Sequence, residues 1–144
     1  MYNHQMSGPI NMDQGPHPFV ADVNKVAVYN DNYRTTLWTG PHSQMTVMSI
    51  PVGDDIGLEV HPDNDQMIRI EDGSGIARLG NAKNNLYINQ PVYRDSVAFV
   101  PAGTWHNVVN IGNRPLKVST IYGPSDHPWG TVDTTKAIAE AKEK

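Results

Sequence analysis

The stretch GLEVHPDNDQMIRI, residues 57–70, sets Glu59 and His61 two positions apart, passes through a polar turn and resumes with Gln66. Alternate side chains on a strand share a face, so Glu59 and His61 point one way while Leu58 and Val60 point the other. Pro62, Asp63, Asn64 and Asp65 read as a hairpin connection, with His61 and Gln66 as its closing pair on one face. That face continues as Ile68 and Ile70, with Arg69 and Glu71 directed outward. The spacing therefore predicts three polar side chains at the end of an apolar interior. A buried carboxylate is costly unless neutralised or paired, and no cationic side chain falls on this face. A divalent ion would meet the need, because carboxylate, neutral imidazole and amide oxygen are all donors. A wet rim, with Glu59 exposed and His61 and Gln66 flanking the turn, satisfies the same spacing.

Outside this stretch the chain alternates short apolar runs with turns. Its 144 residues suffice for one domain with a real core. The 12 glycines and 11 prolines break it into segments such as YRTTLWTG, SQMTVMSIPVG, GIARLG, DSVAFVPAG and PLKVSTIYG. KVAVYN reads as a further strand. Turns every 8 to 12 residues indicate an all-β sandwich or barrel. Residues 1–18 are polar and without period, which suggests a flexible arm or a strand lent to a neighbour, and residues 19–130 form the barrel. In the tail, 131–144, Ala137, Ile138 and Ala141 recur at helical spacing, with Asp133 or Thr134 as N-cap.

A net charge of −4 without a basic cluster argues against nucleic acid and anionic membranes as partners. There is no cysteine, which excludes disulfides and thiolate metal sites. No run approaches a membrane span and no leader is visible at Met1, so the expected location is the cytoplasm.

A second segment, VPAGTWHNVVN at 100–110, sets His106 just after a Pro-Ala-Gly turn. Alone it reads as a core or edge histidine more readily than as a ligand. Together the two segments resemble the paired motifs of the cupin superfamily. Gly53, Glu59, His61, Gln66 and Gly73 fall on the first motif, and Pro101, Gly103, His106 and Asn110 on the second. The likeness extends over residues 26–123 with the flanking strands. It departs at two ligand positions, where Glu59 stands for the usual His and Gln66 for the usual Glu. Small stand-alone bacterial cupins also resemble this chain in the phrases DIGLEVHPD and FVPAGTWHN and in the pattern HPxGTVxxTKA, which residues 127–137 match. Some carry a mannose-6-phosphate-isomerase-like label, which rests on fold likeness.

The resemblance implies a double-stranded β-helix, or jelly-roll barrel, with a short C-terminal helix. It implies one divalent metal (Fe, Mn, Zn, Ni or Co) held by Glu59, His61, Gln66 and His106 with positions left open, and a homodimer. The first expectation for function is a metal-dependent enzyme that isomerises or eliminates a small, sugar-like substrate, with Glu59 as a possible base. An iron dioxygenase and a non-catalytic module that binds metal or a small ligand are the alternatives. His127 reads as a surface histidine or as an acid/base group at the barrel mouth. His4, His17 and His42 read as solvated. Trp38 and Trp105 are expected in the core, Met45 and Met48 as barrel lining, and Arg69 at the surface.

Overall fold

The computed structural model describes residue 8 and residues 12–143. Within them nine strands run in chain order: β1 (Arg34–Thr39), β2 (Gln44–Ile50), β3 (Asp65–Asp72), β4 (Ser74–Gly80), β5 (Ile88–Tyr93), β6 (Val97–Val100), β7 (Trp105–Asn110), β8 (Leu116–Gly123) and β9 (Val132–Asp133). They form two antiparallel sheets, one of six strands in the order β6-β3-β8-β2-β1-β9 and one of three in the order β5-β4-β7. Helix α1 (Val23–Tyr29) precedes the strands and α2 (Lys136–Lys142) follows them. The all-β barrel with a short C-terminal helix is therefore present.

Alternation places the core. Along β3, Gln66, Ile68 and Ile70 face inward and are buried, while Met67 and Arg69 are exposed. Ile68 and Ile70 join Met48, Ile50, Leu79, Val108, Leu116 and Val118 in one cluster between the sheets. Fully burying an aliphatic side chain of this size contributes roughly 1.5–3 kcal/mol.

The KVAVYN segment is helical, not extended. Val26 and Val28 alternate as in a strand, but the buried pair is Val26 and Ala27, and Val28 is exposed. Asp22 caps the helix by accepting from the Lys25 backbone N–H at 3.1 Å. Helix α1 lies on the outer face of the large sheet, where Val26, Ala27, Leu37 and Val47 make a second cluster flanked by Met45. Met45 is thus outside the barrel, whereas Met48 lines it. Glu71 was expected to point outward. It does, but under α1 it is buried, accepting from Ser119 Oγ at 2.7 Å and Asn24 Nδ2 at 3.0 Å.

Both ends differ from the expected boundaries. Residues 13–18 belong to the packed structure. Asp13 is buried and accepts from the Thr39 and Gly15 backbone N–H groups, and Trp38 Nε1 donates to the His17 carbonyl. The rest of the anticipated arm, residues 1–7 and 9–11, lies outside the described residues. At the other end, Val132 and Asp133 pair with β1, so the barrel runs past residue 130. Thr135, not Asp133 or Thr134, caps α2 by accepting from the Ile138 N–H at 3.2 Å. Asp133 is committed elsewhere, to the buried Arg34.

Candidate metal centre

Glu59 and His61 reach the site by a route the hairpin reading missed. Residues 57–61 do not pair with β3. They cross to the small sheet, where Glu59 and His106 form an isolated antiparallel bridge. The Glu59 N–H donates to the His106 carbonyl at 3.1 Å, and the His106 N–H to that of Glu59 at 2.9 Å. Residues directly opposite in such a bridge share a face, so this pair fixes both side chains toward the interior. The Gly103 N–H then donates to the His61 carbonyl at 2.9 Å. Gly103 has φ +82°, a left-handed turn conformation suited to glycine, and it brings β7 in beside His61. Gln66 comes from the other sheet, in register with Tyr122 on β8 and Val100 on β6. The chain changes sheets between His61 and β3, so the site is assembled across the barrel.

Glu59, His61 and His106 each present a donor atom, and these atoms lie within 4.8 Å of one another. The two imidazoles are 5.2 Å apart between ring centres. This Glu-His-His group can hold a metal ion. Hydrogen bonds at the far side of each ring set the orientation. His106 Nδ1 lies 3.0 Å from the Thr104 carbonyl, which only accepts, so the proton sits on Nδ1 and the Nε2 lone pair faces the interior. His61 Nδ1 lies 3.3 Å from an Asp126 carboxylate oxygen, with the same consequence. Gln66 Nε2 donates to Thr120 Oγ1 at 3.0 Å, which leaves Oε1 as the free acceptor.

Among the described residues, His61 Nε2, His106 Nε2 and Gln66 Oε1 are all buried without a hydrogen-bond partner. A buried polar atom left so costs about 1–3 kcal/mol. Each of these three carries a lone pair, and none needs a proton donor if a cation is bound. The residues present therefore fit a divalent ion with nitrogen and oxygen donors.

The site opens into a cavity of about 600 Å³ whose wall includes Arg34, Glu59, His61, Asp126, His127 and Asp133. Burial pushes the Glu59 carboxyl up to about 7, against the pull of His61 and Arg34. Burial also lowers His106. For His61, burial is outweighed by the Asp126 hydrogen bond and the neighbouring carboxylates, and the net shift is upward. Asp126, despite burial, is held down at about 2 by His61, His127 and Asn64.

His127 is in this wall and not at the surface; its side chain is 15% exposed and Nε2 lies 3.4 Å from Tyr122 Oη. Burial, reinforced by the Arg34 charge, lowers it to about 4. His17 and His42 are exposed as expected, and His4 lies outside the described residues. Arg34 and Asp126 were not singled out from the sequence. Arg34 sits among the threonines of an ordinary strand, and Asp126 in a loop. The residue types alone carry no signal there.

Comparison with known proteins agrees with this architecture. A family model described as Cupin domain matches residues 46–122, and the chain belongs to the cupin family. It is 54% identical over 131 residues to the uncharacterized protein YrkC of Bacillus subtilis (strain 168), covering 91% of this chain and 70% of that protein. It is 40% identical over 119 residues to the uncharacterized protein L612 of Acanthamoeba polyphaga mimivirus, covering 82% and 72%. The crystal structure of BH2720 from Bacillus halodurans superposes with a TM-score of 0.89 at 52% identity, over 90% of this chain and 98% of that one. Among the described residues, no helix is long and apolar enough to cross a membrane.

Proposed function

We propose that the chain is a metal-dependent enzyme acting on a small polar, sugar-like molecule by proton transfer, as isomerisation or elimination requires. In this reading Glu59, His61, Gln66 and His106 are the metal ligands. The observation that carries it is the set of three buried lone pairs without partners, each set by a hydrogen bond at the other end of its side chain. A divalent ion bound there would supply a Lewis acid for a carbonyl or hydroxyl oxygen. The chain supplies the rest. The cavity of about 600 Å³ is within the range that encloses a small ligand. His127 is neutral at pH 7 and offers a proton acceptor on the cavity wall, with Tyr122 Oη beside it. Glu59 is a second candidate base, though its first role is ligation.

The test is hydrogen exchange. Metal-loaded protein in D2O, supplied with a panel of 2-hydroxyaldehydes and hydroxyketones, should replace a carbon-bound proton of one of them, followed by NMR. Oxygen consumption on substrate addition, without such exchange, would overturn this reading in favour of an iron dioxygenase. Asp126 gives a separate check. Asp126→Asn should weaken metal binding about 10–100-fold with the fold kept, because it loosens the His61 ring. Chelator competition would measure this, and an unchanged affinity would count against His61 as a ligand.

We also propose that two copies of the chain pair. Met67 and Phe99 are cross-strand neighbours on the outer face of the large sheet, and they are 39% and 67% exposed. Adjacent apolar side chains left in water support a protein contact there. Sedimentation at micromolar concentration should give a dimer that Phe99→Glu weakens; a wild-type monomer would refute it.

A further inference from the structure

Arg34 sits in the cavity wall beside Glu59, His61 and His127 and is only 4% exposed. A guanidinium carries five N–H donors. Its side-chain hydrogen bond among the described residues is a single one, from Nη1 to Asp133 Oδ2 at 3.1 Å, and Nε is buried without an acceptor. Asp133 does not neutralise it fully. Its other oxygen accepts from Lys142 Nζ at 2.6 Å, so one carboxylate is shared by two cations. The group of Arg34, Asp133 and Lys142 therefore keeps a local positive charge, in a wall that also holds the carboxyl groups of Glu59, Asp126 and Glu143.

We propose that Arg34 is a carboxylate-binding residue, so that the cavity takes a small organic acid with a hydroxyl or oxo group beside its carboxylate. Such a molecule presents planar oxygens to the guanidinium and a further oxygen toward Glu59 and His61 in the same wall. This deepens the proposed function, on which it rests for the role of the metal end. The Arg34 contact itself does not depend on the ion. A neutral sugar would offer the guanidinium only uncharged oxygens, whereas an acid of this class offers it a carboxylate and keeps a further oxygen for the other end.

Lactate and its uncharged counterpart lactamide separate these cases. Each is titrated into the full-length protein, with and without added metal, by ligand-observed NMR, and metal content is measured in parallel. Lactate should bind at least about tenfold more tightly than lactamide, the scale of one charge-assisted hydrogen bond. Arg34→Gln should erase the preference while metal content stays at the wild-type level. If that variant does not fold because Asp133 loses its partner, the wild-type comparison still decides. Equal binding of acid and amide, or no binding of lactate, would overturn the assignment. A preference for lactate in protein that takes up no metal would sustain Arg34 and refute the metal reading.

Discussion

His106→Ala should strip the metal from the protein and leave the barrel folded. The ring is buried between the sheets, with Nδ1 fixed by the Thr104 carbonyl and Nε2 facing the other donors. Its removal deletes a donor outright. The effect should therefore exceed the roughly 10–100-fold in affinity that attaches to the partners behind ligands. Elemental analysis after dialysis should find about one ion per wild-type chain, as for a single-ion site, and almost none in the variant. The same holds for His61→Ala. Truncating a buried ring also costs stability, on the order of 2 kcal/mol. Circular dichroism well below the melt separates this from loss of the ion. Wild-type metal content in both variants would remove these histidines from the site.

Acid should abolish the stabilisation that metal confers. At a hundredfold excess over Kd, a ligand that binds only the folded chain adds about 2.7 kcal/mol. For a domain of this size that is a melting increment of about 5–10 °C. Protons compete for the same lone pairs, so the increment is present when the donors are deprotonated and is lost as pH falls. At ordinary side-chain values only the two histidines would compete near neutrality. The structure adds Glu59, whose carboxyl burial raises to about 7, and it separates the histidines, with His61 raised and His106 lowered. Glu59 and His61 should compete first, near neutrality, and His106 last. In chelator only the chain's own proton linkage remains. A group whose folded pKa is raised contributes stability that is full below its unfolded value and lost as pH rises through the folded one. Glu59 and His61 act in this direction, whereas His106 and His127, lowered by burial, act in the opposite one, so the metal-free melting curve should change less between acid and neutral pH than the metal-loaded curve, which rises. An increment independent of pH would exclude histidine ligation.

The site was legible in sequence where local geometry decides it. Alternation puts Glu59 and His61 on one face, and the Pro-Ala-Gly turn marks the start of the strand that carries His106. What was misread depends on non-local pairing. Residues 57–61 have the composition of a hairpin arm, yet Glu59 bridges His106 in the opposite sheet. Arg34 and His127 meet the site only because β9 closes against β1 and the segment before it folds over the cavity. No spacing along the chain encodes that. The α1 error has a local cause: two alternating valines imitate a strand, and the Asp22 cap outweighs them once the large sheet offers Val26 and Ala27 a surface.

Binding of one ion among these four donors is open to direct measurement. Crystals grown with manganese or zinc and measured at the metal's absorption edge would test it directly. One anomalous peak is expected about 2.0–2.3 Å from His61 Nε2, His106 Nε2, a Glu59 carboxylate oxygen and Gln66 Oε1. A peak elsewhere, or these four side chains turned apart around none, would contradict it.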